Sequence, residues 1–389
     1  MNILICNFGS QWLRGQELAL IDLLRKSHPG PHKFLLWNNN SLLAAEIERI
    51  GIPTITQDFA NYFTWTSGRF EPLKYLSLVR TGFRLIRQHK IDVVHSNGLG
   101  PCQWLTPACW LAGVPLLAHL HITYLKRNRL VLGGVWADHL VGVSEACVTP
   151  FRADGVPSDR IEVIYNGVEP AELTQAVETC AWEPPKVAAG VVPLLVVASL
   201  VKRKGIDVLF DACRRIDGLR DRYRILIAGD GPDRGEIEGA SGDLPVTFLG
   251  ELDRQQVLKL LASTGGVIVL PSRAEGFPLS LLEAATFAMP AIVTRVGGMP
   301  EFIEHGYNGF VIEMDDAEKL AEILSQVIGD EALRGQLSRN AKRRAAEFSL
   351  DKTARSFADL YCGLAKPSLW SRVMSGPRQA FRWKRSPAR

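Results

Sequence analysis

The chain has 389 residues, 47% of them hydrophobic and 22% charged, with 34 glycines and 22 prolines. That length exceeds what one hydrophobic core supports, and the composition excludes a disordered or collagen-like chain, so two globular domains are expected. The formal charge of +4 is local: residues 366–389 hold seven basic side chains and no acidic one, so the rest of the chain is net acidic and no nucleic-acid partner is expected.

Residues 2–7 form an apolar run with no basic stretch before it, which reads as a first strand and not a signal peptide. The longest apolar stretch, 105–118, is interrupted by Pro107 and Pro115 and is too short to span a bilayer. The seven cysteines are odd in number and form no C-x-x-C pair, which reads as reduced thiols and a cytoplasmic protein.

Short β-branched runs then alternate with amphipathic stretches, the pattern of parallel sheets covered by helices. Strands are expected at 2–7, 33–37, 92–95, 116–119, 139–143 and 161–165, and again at 194–199, 224–228, 246–249, 266–270, 291–294 and 309–312. The fold class is α/β, with two Rossmann-like doubly wound domains. Pro184, Pro185 and Pro193 break the alternation, which divides the chain into a first lobe at 1–170, a linker at 171–192 and a second lobe at 193–349. A helix at 350–365 is expected to return to the first lobe, followed by the basic tail 366–389. Ligands of such sheets sit at the carboxyl ends of the strands, so the expected site is a cleft faced by both lobes.

One stretch carries most of the chemistry. An apolar strand ends at Pro271, a loop holds Glu275, Gly276 and Phe277, and Pro278 suits a first helical position. The amides of Leu279, Ser280 and Leu281 would then open a helix N-terminus fit for a diphosphate. Glu275 is suited to sugar hydroxyls and Glu283 to those of a ribose. Spacing alone equally allows both glutamates simply to favour the helix N-terminus.

This stretch resembles the E-x7-E signature of glycosyltransferase family 4 (glycosyl transferases group 1), with Glu275 and Glu283 at its ends. Around it, Gly297-Gly298 with Glu301 resembles the family's glycine turn and following acid, and Gly229-Asp230-Gly231-Pro232 its G-x-G-P loop. Asn166-Gly167-Val168 resembles an N-G-V element closing the first lobe, Val143-Ser144-Glu145 a V-S-x element, and Gly15-Gln16-Glu17 the G-G-x-E loop after the first strand. The resemblance implies the GT-B fold and a retaining transfer of a hexosyl unit from a nucleotide-diphosphate sugar. The acceptor implied is a saccharide or lipid-linked saccharide, in bacterial cell-surface polysaccharide, lipopolysaccharide or glycolipid synthesis.

It also implies site residues. Lys204 matches the family's phosphate-clamping Lys, whereas Ser199 stands where the Arg is usual, so either Arg203 or Lys202 substitutes from the adjoining turn or the clamp is weaker than usual. No strict D-x-D pair is present, and the expectation is a metal-independent enzyme with no cofactor beyond its donor. His121 matches a His presented to the donor sugar, with His119 as the alternative if the strand is out of register. Gly15 would let backbone amides approach the β-phosphate, as residues without a Cβ do. Gly231, Phe277 and Pro278 are expected to line the donor site.

Rival readings are a nucleotide-sugar epimerase or phosphorylase on the same scaffold, and a non-catalytic sugar-nucleotide-binding partner. A dinucleotide-dependent oxidoreductase is disfavoured, because no G-x-G-x-x-G follows the first strand. Finally, Leu76, Val79, Phe83 and Ile86 are expected on one helical face beside Arg80, Arg84 and Arg87, within a segment from Arg69 to Lys90 rich in basic residues. Lys126, Arg127 and Arg129 lie near Tyr124, Leu130 and Val131, and the tail holds Trp370, Phe381 and Trp383. Such mixtures fit peripheral contact with an anionic membrane surface, on the inner face of the cytoplasmic membrane.

Overall fold

A computed structural model describes residues 1–59, 71–216 and 218–365, and in it the chain forms two compact units. The first comprises residues 1–143, 147–164 and the described chain from Thr353 onward; the second comprises residues 144–146 and 165–352.

The first unit is built on seven strands: β1 (Asn2–Asn7), β2 (Lys33–Asn38), β3 (Thr54–Thr56), β4 (Val93–Asn97), β5 (Leu116–Leu120), β6 (His139–Gly142) and β7 (Ile161–Val163). All pair in parallel, in the order β3-β2-β1-β4-β5-β6-β7. Helices cover both faces, which is why runs such as Ile3-Leu4-Ile5 and Leu116-Leu117 are apolar without alternation. Winding reverses between β1 and β4, where Asn7 pairs with Asn97 at the carboxyl ends.

The second unit has β8 (Val192–Val197), β9 (Tyr223–Ala228), β10 (Val246–Gly250), β11 (Val267–Leu270), β12 (Ala291–Thr294) and β13 (Gly309–Ile312). These strands are also parallel, in the order β10-β9-β8-β11-β12-β13, with the reversal between β8 and β11. Both sheets are therefore doubly wound, as the alternation of strand and helix patterns implies.

Several boundaries differ from the sequence reading. Strand β3 was not anticipated: it is a three-residue edge strand too short to show a period. Asn166, Gly167 and Val168 belong to the second unit rather than closing the first. Val168 N–H donates to the Phe348 carbonyl (2.9 Å), and a Cβ on Gly167 would come within 2.5 Å of the Ser349 carbonyl oxygen. The segment 171–192 is not a free linker, because it begins with most of the helix Pro170–Thr179 and lies within the second unit. The helix Leu350–Leu364 sends Phe357 and Tyr361 into the core of the first unit.

The helix Pro72–Gln88 also corrects an expected face. Val79 and Ile86 turn inward with Leu78, Gly82 and Leu85, whereas Leu76 and Phe83 face out. Arg129 is no surface cation: it is buried, with Nε donating to Asp154 (2.6 Å) and Nη1 to the Tyr124 carbonyl (2.6 Å). Arg69 and the basic tail lie outside the described residues. Among the described residues, no helix is long and apolar enough to cross a membrane. All seven cysteines are free thiols, six of them buried.

Candidate active site

In the second unit, the loops at the β8/β11 reversal bring together two groups that lie 71 residues apart in sequence. Lys204 Nζ donates to Glu275 Oε1 at 2.5 Å, and both side chains are largely buried. Ser272 Oγ donates to the same oxygen at 2.8 Å, which leaves Glu275 Oε2 with no donor among the described residues. Gly205 makes this approach feasible. Its φ is +66°, and a Cβ there would sit 1.9 Å from the Pro271 carbonyl oxygen, so only glycine lets the turn carrying Lys204 rest on the end of β11.

Arg203 lies beside this pair, with Nη1 donating to the Ala274 carbonyl (3.2 Å). Lys202 is exposed and engaged by Glu236 (2.9 Å), so Arg203 is the better-placed second cation. Ser199 contributes a backbone turn, its carbonyl accepting from Val201 N–H (2.9 Å). Arg273 holds the loop after β11: its guanidinium meets Asp207 (2.6 and 3.0 Å), Asp315 (2.6 Å) and the Lys202 carbonyl (2.7 Å).

The helix carrying Glu283 starts one residue later than expected. Pro278 is its N-cap, and the helix runs Leu279–Thr286. Leu281 N–H donates to the Pro278 carbonyl (3.2 Å), so only the amides of Leu279 and Ser280, of the three expected, open outward from the first turn. Phe277 is corrected as well. Its ring is buried, stacked on Phe348 at 5.5 Å with Tyr165 and Phe302 around it, so the side chain is core and only the backbone is left to meet a ligand. The Phe277 carbonyl accepts from Asn166 Nδ2 (2.9 Å), which ties the N-G-V element to this loop.

The glycine turn locks the loop from the other side. Gly298 N–H donates to the Gly276 carbonyl (2.5 Å), and a Cβ on Gly297 would strike the Glu275 carbonyl oxygen at 2.2 Å. Glu301 accepts from the amides of Glu145 (2.9 Å) and Ala146 (3.0 Å) and from Tyr165 Oη (3.0 Å). Gly231 is explained by packing, since a Cβ there would meet the Leu200 carbonyl oxygen at 2.3 Å.

Glu283 is buried and accepts through Oε1 from Arg254 Nε (3.1 Å) and Nη2 (2.9 Å). Arg254 was missed in the sequence, where 29 residues separate the two. Arg254→Leu is expected to cost about 2 kcal/mol of stability by leaving a buried carboxylate without this partner. Denaturant unfolding measures it; a change within error would show that Glu283 does not need the guanidinium.

In the first unit, Gly15 opens the helix Gly15–Ser27 instead of lying in a loop, and a Cβ there would meet nothing within 4 Å. Gln16 Nε2 donates to Asn7 Oδ1 (3.2 Å) and to the Asn97 carbonyl (2.8 Å), while Asn97 Nδ2 donates to Asn7 Oδ1 (2.8 Å). His121, just past β5, joins this amide network through Nε2 and Asn97 Oδ1 (2.7 Å). Burial holds its imidazole down at about 3, so it is neutral, and donation from Nε2 leaves Nδ1 as an acceptor. His119 lies behind it, ring centroids 4.1 Å apart, and both of its nitrogens are buried with no hydrogen-bond partner among the described residues. His119 is therefore core, and His121 is the residue tied to the polar network.

At the β1/β4 reversal of this sheet lies a cavity of about 280 Å³, lined by Phe8, Gln16, Asn97, Gly98, Tyr124 and Asn128 among others, with no charged side chain in its wall among the described residues. Amides, a phenol and an aromatic ring suit hydroxyl-rich, uncharged ligands.

Two doubly wound units with these loops fit the GT-B class, and comparisons with known proteins supply the activity. Residues 190–344 match the model of the glycosyl transferases group 1 family, and residues 53–172 that of glycosyltransferase family 4. An uncharacterized glycosyltransferase of Methanocaldococcus jannaschii is 32% identical over 305 residues, covering 75% of this chain and 82% of its own. A putative colanic acid biosynthesis glycosyltransferase of Salmonella typhimurium is 25% identical over 380 residues, covering 90% and 85%. The Anabaena protein HepE, solved in complex with UDP, superposes with a TM-score of 0.75 at 22% identity, over 93% of this chain and 100% of its own. The chain belongs to the group 1, family 4 glycosyltransferases.

Proposed function

We propose that the enzyme transfers a hexosyl unit, with retention of configuration and without a metal, from a nucleotide-diphosphate sugar to a saccharide or lipid-linked saccharide. The single observation that carries this reading is the buried Lys204–Glu275 pair at the β8/β11 reversal, which leaves one carboxylate oxygen without a donor among the described residues. In this reading Lys204 and Arg203 meet the charge that develops on the departing diphosphate, together with the Leu279 and Ser280 amides. Glu275 takes a hydroxyl of the donor sugar and Glu283 the ribose. The sugar's bond to the diphosphate oxygen breaks with the electron pair leaving on the diphosphate. The acceptor hydroxyl bonds to the same face of the sugar, and its proton passes to a diphosphate oxygen. His121 serves the donor sugar as a neutral hydrogen-bonding group, and Gly15 leaves room for the β-phosphate.

That HepE was solved in complex with UDP and with UDP-glucose supports a nucleotide-sugar donor, and the colanic acid relative supports a role in cell-surface polysaccharide synthesis. The uncharged cavity supports a neutral sugar ring as the part of the acceptor it receives. We place the enzyme in the cytoplasm, peripheral to the inner face of the membrane.

Two measurements test the reading. A uridine, guanosine or adenosine diphosphate at about a hundredfold excess over its dissociation constant should stabilise the protein by about 2.7 kcal/mol, seen as a thermal shift. Release of nucleoside diphosphate from the matching sugar donor should then require an acceptor. Stabilisation without turnover would favour a binding partner, and no response to any of the three would remove the donor assignment.

A further inference from the structure

The helix Pro72–Gln88 has one face in the core of the first unit and the other in solvent. Its inner face packs on the helix Cys102–Ala112, where a Cβ on Gly82 would lie 3.3 Å from that of Ala108. The outer face carries Leu73 (83% exposed), Leu76 (59%) and Phe83, with Arg80, Arg84 and Arg87 also exposed. At 100° per residue these six side chains fall within an arc of about 100°, the width of a single stripe. From Pro72 to Gln88 there is no acidic residue, and the acid at its N-cap, Glu71, is held by Lys74 at 2.6 Å. The neighbouring helix leaves Trp110 and Leu111 exposed at its C-terminal end.

Scattered apolar side chains on a surface are ordinary; a row interleaved with three arginines and no acid is not. Arginine stems lie along apolar surface while their heads reach outward, so a stripe of this composition meets acyl chains and anionic headgroups together. We infer that this stripe is the face by which the enzyme lies on an anionic bilayer. The inference rests on the peripheral-membrane part of the proposed function and fixes which surface carries it.

The full-length protein, floated with vesicles containing phosphatidylglycerol or made of phosphatidylcholine alone, tests it. Wild type should partition onto the anionic vesicles and weakly, if at all, onto neutral ones. Arg80→Gln/Arg84→Gln/Arg87→Gln should weaken partitioning by about a hundredfold, and Leu76→Glu/Phe83→Glu by about tenfold or more. All five substituted positions are exposed, so both variants should keep the wild-type thermal midpoint and nucleotide-induced shift. Wild-type binding that neither variant weakens overturns this surface while leaving the peripheral reading standing. Absence of wild-type binding overturns both, and diphosphate release still judges the transfer reaction by itself.

Discussion

Glu275→Gln is expected to lower turnover by about two to three orders of magnitude while nucleotide affinity changes only a few-fold. The substitution keeps the side chain's shape and removes its charge. Glu275 has one oxygen occupied by Lys204 and Ser272, and in the proposed reaction the other takes a sugar hydroxyl whose hydrogen bond would strengthen as positive charge grows on the ring. A glutamine there binds the ground state nearly as well and the charged transition state far worse. Single-turnover kinetics and nucleotide titration separate two cases. If affinity falls as steeply as turnover, Glu275 acts by holding Lys204 for the phosphates. If neither falls, the pair is structural.

The second large effect is acid lability. His95 and His119 pack against Phe357 of the helix Leu350–Leu364, with His95 Nδ1 2.7 Å from Tyr361 Oη, and His121 packs on His119. Burial, reinforced for His95 and His119 by neighbouring histidines, pushes all three imidazoles down, His95 and His121 to about 3. In the unfolded chain these groups titrate near 6.5, so below that pH the unfolded state binds more protons. Their stabilising contribution is therefore complete above pH 6.5 and is lost as the pH falls toward 3. At pH 5, His95 and His121 should each have cost about 2 kcal/mol, measurable by denaturant unfolding. Glu17, whose carboxyl burial pushes up, works in the opposite sense and offsets part of this loss. His119→Leu forfeits no hydrogen bond among the described residues and should flatten the pH slope by one proton. An unchanged slope would place the lability elsewhere.

Much of the scaffold was legible because buried parallel strands are near-continuous apolar runs bounded by turn residues, as at 266–270, where Val267-Ile268-Val269-Leu270 stands between Gly266 and Pro271. Thr54-Ile55-Thr56 was not, since three half-exposed residues at a sheet edge carry no pattern. The lobe boundary was placed too late because what draws Asn166 into the second unit is a hydrogen bond to Phe277, 111 residues away. Separation in sequence, 29 residues, likewise hid Arg254 as the partner of Glu283, whereas Ser272 stands only three residues before Glu275 and carries no motif of its own. A motif specifies which backbone loop meets a ligand, but not which side chains in it are core. Hence Phe277 reads as a donor contact and is an aromatic anchor. On the helix Pro72–Gln88, apolar residues outnumber what the core can take, and composition could not tell Val79, which is buried, from Leu76, which is not.

The helix that brings Phe357 and Tyr361 to the first unit has a consequence for synthesis. During translation the first sheet emerges whole once β7 has left the ribosome, yet the face bearing His95 and His119 waits uncovered while the entire second unit is made. The N-terminal half therefore cannot finish folding first, as halves of a two-domain chain ordinarily do. Its last core residues arrive almost 200 positions after its last strand, and a nascent chain stalled between them exposes His95, His119 and the apolar surface around them.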